Sequence, residues 1–278
     1  MPRRLRLDAE LVRRGLARSR EHASDLIAAR RVKVDGAIAG KAATAVGTDA
    51  ALVVLEDDAR PDYVSRGGHK LAGALAAFQP LGLRVQGRRC LDAGASTGGF
   101  TDVLLRAGAA EVVAVDVGSG QLAWPLRTDE RVVVHDRTNV RDLTLEVVGG
   151  PVDLVVGDLS FISLDLVLDA LVLVTDDAGD LALMVKPQFE VGKDRVGKGG
   201  VVRDPDLRAL AVGAVAAAGA RRGWGAQAVT TSPLPGPSGN IEYFLWLRHG
   251  APRVDDARIA AEVRRTADLT MPGERVRP

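Results

Sequence analysis

Short apolar runs recur along the chain from Arg89 onward and are separated by segments of helical or loop-forming character. The runs read RCLDAG, EVVAVDVG, RVVVHD, VDLVVGD, DLALMVK and IEYFLWLR. Nearly continuous Val and Leu over this length is typical of parallel strands that are buried on both faces. The pattern therefore predicts a doubly wound α/β sheet, with a ligand at the carboxyl ends of the strands.

The first 58 residues follow a different pattern, which predicts two short helices and short strands. Asp8 is placed to cap a helix that Gly15 ends, and Ser19 is placed to cap a second helix through Ala29. RVKVDG and ALVVLED have the character of strands. This part is expected to be a small α+β domain. The segment RPDY at residues 60–63 is expected to be a hinge, because proline restricts the residue before it to extended conformations.

Charge is distributed unevenly between these two parts. Residues 1–41 hold 11 Lys and Arg against 5 Asp and Glu, a net charge of +6, and the remainder has a net charge of −5. A basic head on an acidic body indicates a polyanionic partner for the head. The alternative, that the basic residues form a solvated face of a helix, explains the run of charge equally well when no other observation is considered.

The composition, with 46% hydrophobic and 26% charged residues, is that of a soluble globular protein. The single cysteine, Cys90, excludes an internal disulfide framework and favours a reducing cytoplasm. The N-terminus is charged throughout and has no secretory apolar region. The most membrane-like segment, ALAVGAVAAAGA, is too short to cross a bilayer and predicts a buried, alanine-rich helix.

The segment DAGASTGGF lies between the first strand of the predicted sheet and a helix-like FTDVLLRAG. Alanine and serine follow Gly94, so the dinucleotide pattern G-x-G-x-x-G is missing, and no P-loop occurs at this position. Asp92 ends the first strand, and Asp116 ends the second at a spacing that suits a carboxylate holding ribose hydroxyls. Each aspartate alone could be a helix cap or a turn former. Together with Asp136 at the end of the third strand, placed to approach an adenine, they favour a nucleoside without pyrophosphate, S-adenosylmethionine.

Two sets of motifs resemble known families. LVRRGLARSREHASDLIAARRVKVDG resembles the S-four-type RNA-binding domain, which presents paired helices to folded RNA. SRGGHKL, LDAGASTGGFTDVLL, VDVGSGQLAW, DLSFISL, VKPQFEVGK and PSGNIEYF resemble the TlyA family over nearly the whole chain. The resemblance implies an RNA-binding domain at residues 1–59, a linker at 60–63 and a Rossmann-like, FtsJ-like S-adenosylmethionine-dependent methyltransferase at 64–278. It also implies 2′-O-methylation of cytidine in 16S and 23S ribosomal RNA.

The resemblance implies the catalytic residues as well. The Lys-Asp-Lys-Glu set of FtsJ-like enzymes maps onto Lys70, Asp158, Lys186 and Glu242. A ribose hydroxyl is a weak acid, so its proton needs a base, and a lysine made neutral by burial and a second cation is suited to accept it. Lys186 is the expected base, with Asp158 as its partner. The residues expected to bind the cofactor are Asp92, Gly94, Ala95, Ser96, Thr97, Gly98, Gly99, Phe100, Asp116, Val117, Asp136 and Asp158.

The residues expected to contact RNA lie in the head and in the basic loop FEVGKDRVGKGGVVRD. They are Arg4, Arg6, Arg14, Arg18, Arg20, Arg30, Arg31, Lys41, Lys193, Arg195 and Lys198. Phe161 and Phe189 are candidates for stacking on a flipped base, or equally for core packing. The four histidines lack metal-ligand spacing, so no metal is expected, and His69 is expected to be structural.

Two other functions stay open. A noncatalytic RNA-binding factor built on a methyltransferase scaffold is one, and the four intact catalytic residues argue against it. A membrane-lysing toxin is the other, since the family has also been named for hemolysins, but the sequence offers neither a signal peptide nor a spanning helix. The expected partner is therefore ribosomal RNA within ribosomal subunits, and no membrane is expected.

Overall fold

The computed structural model describes residues 4–55, 62–236, 238–252 and 255–269. Contacts divide the chain into two compact units, Met1–Asp62 and Tyr63–Pro278. Residues 60 and 61 of the predicted hinge and the C-terminal segment TMPGERVRP lie outside the described residues.

The N-terminal unit is a small α+β domain, as predicted. Its helices are α1 (Leu7–Arg13) and α2 (Arg20–Ala28), and its strands are β1 (Arg4–Arg6), β2 (Val32–Val34), β3 (Ala37–Ile38), β4 (Ala45–Gly47) and β5 (Leu52–Val54). β1 pairs with β4, and β3, β2 and β5 form an antiparallel sheet in that order. The two helices bury their apolar side chains in one core, to which Leu7, Leu11, Ala23, Leu26 and Ile27 contribute.

The helix ends of this unit agree only in part with the sequence. Ser19 caps α2, because its side chain accepts a hydrogen bond from the His22 backbone N–H at 3.1 Å. Gly15 follows α1 with a φ of +72°, as predicted. The predicted cap at Asp8 is wrong, since α1 begins at Leu7 and Asp8 lies buried in its first turn.

The C-terminal unit is the predicted α/β sheet with helices. Its strands are β6 (Arg89–Ala93), β7 (Glu111–Val115), β8 (Val132–His135), β9 (Val152–Gly157), β10 (Thr175–Val185), β11 (Trp224–Thr231) and β12 (Tyr243–His249). Its helices are α3 (Arg66–Phe78), α4 (Gly99–Arg106), α5 (Trp124–Arg127), α6 (Leu145–Val148), α7 (Leu168–Val174), α8 (Pro187–Glu190), α9 (Pro205–Arg221) and α10 (Asp256–Leu269). The sheet order is β11-β12-β10-β9-β6-β7-β8.

The direction of the last strand differs from the prediction. The strands from β10 through β8 in this order are parallel, whereas β12 runs antiparallel to both β10 and β11. The run IEYFLWLR is as apolar as the others because β12 lies inside the sheet between two neighbours, not because it is parallel. The sheet is therefore mixed.

Because β12 runs antiparallel to β10, its first residue lies at the edge of the sheet where the parallel strands end. Ala93 at the end of β6 pairs with Gly157 at the end of β9, and Val185 at the end of β10 pairs with Tyr243 at the start of β12. The residues just beyond these positions therefore share one edge of the sheet. They include the glycine loop, Asp158, Lys186 and Glu242.

The two remaining helical predictions correspond to α9 and α10. The alanine-rich segment lies in α9, and its inward side chains, among them Val212, Val215 and Ala216, are buried. α10 packs on α9 through Ile259 and Val263. Within the described ranges, no helix combines the length and the apolar character that a membrane crossing requires.

Candidate active site

Lys186 follows the last residue of β10 and is almost completely buried. Its Nζ lies 2.6 Å from Oδ1 of Asp158, the residue that follows β9, and it donates a hydrogen bond to Oγ of Ser160 at 2.7 Å. A buried ammonium group is stable only when it is paired and hydrogen-bonded. Both conditions are met by the loop that leaves β9.

A second lysine–carboxylate pair lies at the same edge. Lys70 projects from α3, and its Nζ donates to Oε2 of Glu242 at 2.5 Å. Glu242, one residue before β12, is 1% exposed. The four residues that the resemblance assigned to catalysis therefore form two ion pairs, Lys186 with the half-buried Asp158 and Lys70 with the buried Glu242.

Two adjoining cavities open at this edge. A cavity of about 320 Å³ is lined by Lys70, Asp158 and Lys186 together with the glycine loop. A second cavity, of about 490 Å³, shares Gly94, Ser96, Asp158 and Ser160 with the first. The second cavity is also lined by Asp116, Val117, Gln121, Asn139, Arg141 and Phe161. One cavity thus contains three of the four candidate catalytic side chains, and the other contains the end of β7.

The glycine loop approaches other parts of the protein closely. Gly94 has a φ of +85°, and a Cβ there would lie 3.1 Å from the backbone oxygen of Asp158. Gly98 has a φ of +95°, and a Cβ there would lie 2.7 Å from Leu122. Glycine is the residue that tolerates both the left-handed backbone and the close approach. The conformation of the loop is therefore determined partly by packing within the protein. The smaller cavity is lined by five other residues of the loop, Ala95, Ser96, Thr97, Gly99 and Phe100.

Asp116 fixes the glycine loop to the end of β7. Its two carboxylate oxygens accept the backbone N–H groups of Ser96 at 2.8 Å and Gly118 at 2.7 Å. Asp116 and its exposed neighbour Val117 both line the larger cavity. The carboxylate is thus held at the wall of this cavity.

Asp92 and Asp136 do not line either cavity. Asp92 is fully buried beneath the loop, where the Thr101 hydroxyl donates to it at 2.7 Å and burial raises its pKa to about 7. Asp136 accepts hydrogen bonds from Arg127 at 3.0 Å and from the Gly120 backbone N–H at 3.2 Å. The Arg127 guanidinium lowers the pKa of Asp136. Both carboxylates therefore bond to neighbouring parts of the protein and not to the space of either cavity.

Several cavity residues were not predicted from the sequence. Ser65, Arg66 and Gly67 at the start of α3 line the smaller cavity, and Asn139 and Arg141 line the larger one. In the motif SRGGHKL, the sequence predicts a site role for Lys70 and none for Ser65, Arg66 or Gly67. Asn139 caps a short turn after β8 through a hydrogen bond from the Arg141 backbone N–H. In the sequence an asparagine at such a position indicates only a capping role, although the residue also lines the cavity.

Five of the head arginines expected to contact RNA are bonded within the N-terminal unit. Arg6 and Arg20 both pair with the buried Asp8, at 3.0 and 2.9 Å, and the hydrogen bond from Arg6 is the main cause of its strongly lowered pKa. Arg14 pairs with the buried Glu10 at 2.7 Å and also donates to backbone carbonyls. Arg31 donates to the Leu55 carbonyl. Arg18 pairs with Asp62 at 3.3 Å. Arg4, Arg18, Arg30 and Lys41 are exposed.

The basic loop between α8 and α9 presents its charges outward. Lys193, Arg195 and Lys198 are exposed. The loop is anchored by Asn240, which donates to the Gly200 carbonyl at 2.8 Å and accepts the Val202 backbone N–H at 3.0 Å. Asn240 is buried and lies two residues before Glu242. The exposed charges are therefore connected to the segment that carries a candidate catalytic residue.

Phe161 is 90% exposed beside the larger cavity, so the alternative of core packing is wrong for this residue. Its backbone has a φ of +64°, and its ring centroid lies 5.2 Å from that of the half-buried Phe189. His69 contacts the ring of Tyr63 edge-on, at 5.1 Å between centroids. Across the described ranges, no group of three His, Cys, Asp or Glu side chains has the arrangement of a metal site.

Comparison with known proteins assigns both units to families. Residues 63–249 match the FtsJ-like methyltransferase family, and residues 5–51 match the S4 domain. The chain is 62% identical over 258 residues to the 16S/23S rRNA (cytidine-2′-O)-methyltransferase TlyA of Mycobacterium tuberculosis H37Rv, covering 93% of this chain and 95% of that protein. It is 38% identical over 242 residues to Hemolysin A of Brachyspira hyodysenteriae, covering 86% and 98%.

A solved structure from Streptococcus thermophilus has the same fold over 97% of both chains, with 35% sequence identity and a TM-score of 0.73. The family matches, the identity to TlyA and this structural likeness agree with the motifs and with the site geometry. The chain therefore belongs to the FtsJ-like methyltransferases and, within them, to the TlyA family.

Proposed function

We propose that this protein transfers a methyl group from S-adenosylmethionine to the 2′-oxygen of cytidine in 16S and 23S ribosomal RNA. The observation that carries the proposal is the pair of lysine–carboxylate contacts, Lys186 with Asp158 and Lys70 with Glu242, at the edge where the glycine loop begins. The 62% identical relative from Mycobacterium tuberculosis is named for this activity.

The larger cavity suits the nucleoside part of S-adenosylmethionine. Asp116 is held at its wall by backbone N–H groups, and a fixed carboxylate is the group that binds ribose hydroxyls in sheets of this kind. The cavity continues into the smaller one through Gly94 and Asp158, so a bound cofactor extends towards the lysines. When bound, the cofactor supplies a methyl group on a positively charged sulfur, which leaves without further activation.

The role of the protein at the reacting oxygen is to orient the hydroxyl and accept its proton. We assign the proton to Nζ of Lys186. This nitrogen is paired with Asp158, which favours its charged form, so it must lose a proton before it can accept one from the substrate hydroxyl. Asp158 and Ser160 hold this nitrogen in place. Glu242 and Lys70 position the ribose from the opposite side, and orientation of this kind supplies much of the acceleration in a transfer reaction.

The head and the basic loop are assigned to RNA. We take residues 1–59 as the RNA-binding domain, 60–63 as the linker and 64–278 as the methyltransferase. Exposed charges on the head and on the loop at residues 193–198 suit phosphate contacts. Phe161, exposed beside the cavity, is suited to stack on the target base after it leaves its helix. The proposed location is the cytoplasm, where ribosomal subunits are found.

The test is a methyl-transfer assay with purified protein, isotope-labelled S-adenosylmethionine and isolated small and large ribosomal subunits. Label should enter both 16S and 23S RNA and be recovered as 2′-O-methylcytidine after nuclease digestion. Label in neither RNA would contradict the proposal and favour a noncatalytic RNA-binding factor. Label in only one RNA would restrict the substrate to that subunit.

A further inference from the structure

The loop Asp158–Leu164 contributes Asp158 and Ser160 to the wall that the two cavities share, and Leu159, Phe161 and Ile162 to the larger cavity alone. It leaves β9 and faces the segment Lys186–Glu190, which leaves the neighbouring strand β10. Lys186 contacts the near end of this loop through Asp158 and Ser160. A second set of contacts joins the far end of the loop to the far end of the segment.

Glu190 makes that second set. Its Oε2 accepts the hydroxyl of Ser163 at 2.6 Å, and its Oε1 accepts the backbone N–H of Leu164 at 2.9 Å. Burial raises the pKa of this carboxyl. Each oxygen thus accepts a bond from the loop, and Glu190 lines neither cavity. Its contacts are with the loop and not with the space where substrates bind.

Between the two sets of contacts lies Phe161, in a left-handed backbone conformation with a φ of +64°. This conformation is unfavourable for a bulky side chain and persists only where the surrounding structure imposes it. The ring itself is 90% exposed, so core packing does not hold it there. The contacts that flank it, at Ser160 and at Ser163 and Leu164, therefore constrain it together with the contact between its ring and that of Phe189.

We propose that Glu190 is a positioning residue that holds the loop Asp158–Leu164 in the conformation that presents Phe161 to the RNA substrate. The inference rests on the proposed function, because the loop matters only if the cavities bind cofactor and RNA. Glu190 acts on the reaction through the loop and touches neither substrate.

The test compares Glu190→Ala, Glu190→Gln and a matched control, Glu262→Ala, in the full-length protein. Glu262 also accepts a backbone N–H and a hydroxyl, both from Thr231, at 3.1 and 3.2 Å, but it lies on α10, outside the residues that line the two cavities. Steady-state methyl transfer to ribosomal subunits, S-adenosylmethionine affinity by calorimetry and Tm would be measured for each.

Glu190→Ala should raise KM for RNA or lower kcat/KM by about 10-fold or more, because small misplacements of positioning groups have effects of this size or larger. S-adenosylmethionine affinity should change little. Glu190→Gln should stay near wild type, because its amide oxygen can accept the Leu164 N–H and its amide nitrogen can donate to the Ser163 hydroxyl. Glu262→Ala should lower Tm without changing KM.

A second experiment, in which Glu190→Ala is made in the Phe161→Gly protein, tests whether Glu190 acts by constraining the loop. In Phe161→Gly the backbone adopts a positive φ without strain, so the loop needs less constraint. Glu190→Ala should therefore lower Tm less in this background than in wild type, and it should add little to the loss of RNA affinity that Phe161→Gly causes.

The inference would be overturned if Glu190→Ala lowered Tm and RNA affinity as much in the Phe161→Gly background as in wild type. An unchanged kcat/KM for RNA in Glu190→Ala would overturn it as well. So would a Glu190→Gln variant as inactive as Glu190→Ala with an unchanged Tm, because the charge would then act on the substrate directly. Wild-type protein that methylates no RNA would instead contradict the proposed function.

Discussion

Lys186 is the proposed base, which accepts the proton of the ribose hydroxyl. It is buried against Asp158 and Ser160, where it is held in one orientation. Lys186→Ala should leave S-adenosylmethionine and RNA binding near wild type while methyl transfer falls by about 100-fold or more, the usual contribution of a positioned base. Lys186→Arg should be nearly as inactive, because a guanidinium stays protonated.

Single-turnover rates with saturating RNA would measure this effect, with calorimetric cofactor affinity as the control. Near-normal turnover by Lys186→Arg would mean that this position orients the substrate and that another group takes the proton. Wild-type activity should also rise with pH, since the base must be neutral to act.

Asp92 gives a pH dependence of stability. Burial raises its pKa to about 7, whereas an aspartate in the unfolded chain has a pKa near 3.8. Between these values the folded state holds a proton that the unfolded state has lost, so this group makes the protein less stable as pH rises, by up to about 1.4 kcal/mol per pH unit. Asp92→Asn should remove that loss.

Urea unfolding of both proteins at pH 5 and pH 7 would measure the difference. The other groups are the same in the two proteins, so the change in the gap between their unfolding free energies reports Asp92 together with its coupling to Asp116 and Asp158. A gap that is equal at both pH values would show that Asp92 ionises normally in the folded protein.

The strands of the sheet were largely predictable, and the reasons for the exceptions are physical. Runs such as EVVAVDVG and VDLVVGD are buried on both faces, which hydrophobicity alone indicates. The direction of β12 was not predictable from its composition, because a strand between two neighbours is equally apolar in either direction. β11, with the sequence WGAQAVTT, was missed because its half-buried edge position allows Gln and Thr among its residues.

The candidate site was predictable where a residue ends a strand. Asp158 and Lys186, which both follow strand ends, were assigned through the resemblance to FtsJ-like enzymes, while the glycine pattern located the loop before them. Asp116 lies at the cavity wall, whereas Asp136, chosen by the same rule, pairs with Arg127 away from it. The rule places a residue at the correct edge of the sheet, but the direction of its side chain depends on neighbours that are distant in sequence.

The basic loop between α8 and α9 gives a prediction about salt. Replacing Lys193, Arg195 and Lys198 by Ala should lower RNA affinity. It should also reduce the slope of log affinity against log salt by roughly 2–3, because each lost phosphate contact removes just under one unit of slope on a B-DNA duplex and a similar value is expected for duplex RNA. Filter binding over a salt series would measure the slope.

The matched control removes three charges from α9 and α10, by Arg221→Ala, Arg264→Ala and Arg265→Ala, all exposed positions. The net charge changes equally in both triple variants. Equal slopes for the two would show that the basic loop makes no phosphate contacts of its own.

The whole chain combines a basic head with an acidic body, at net charges of +6 for residues 1–41 and −5 for the remainder. Part of the positive charge in the head is internal, because buried Asp8 and Glu10 each pair with two arginines. The exposed remainder is what RNA would meet. The charge count therefore agrees with the S4 match in pointing to the head, but it overstated the number of arginines that face outward without an acidic partner.

Removing residues 1–58 should abolish ribosome binding and keep S-adenosylmethionine binding, because the cavity residues all belong to the second unit. Calorimetry with the cofactor and sedimentation with ribosomal subunits would measure the two properties. A truncated protein that still sediments with subunits would assign RNA affinity to the body.

The central claim, methylation of a ribose oxygen that depends on Lys186, is tested most directly by the chemistry of the product. Ribosomal subunits would be treated with wild-type protein or Lys186→Arg and the RNA hydrolysed in alkali. A methylated 2′-oxygen cannot attack the adjacent phosphodiester, so wild-type protein should leave an alkali-resistant dinucleotide that begins with cytidine, and Lys186→Arg should leave almost none. Labelled product that alkali cleaves completely to mononucleotides would place the methyl group on a base and contradict the account.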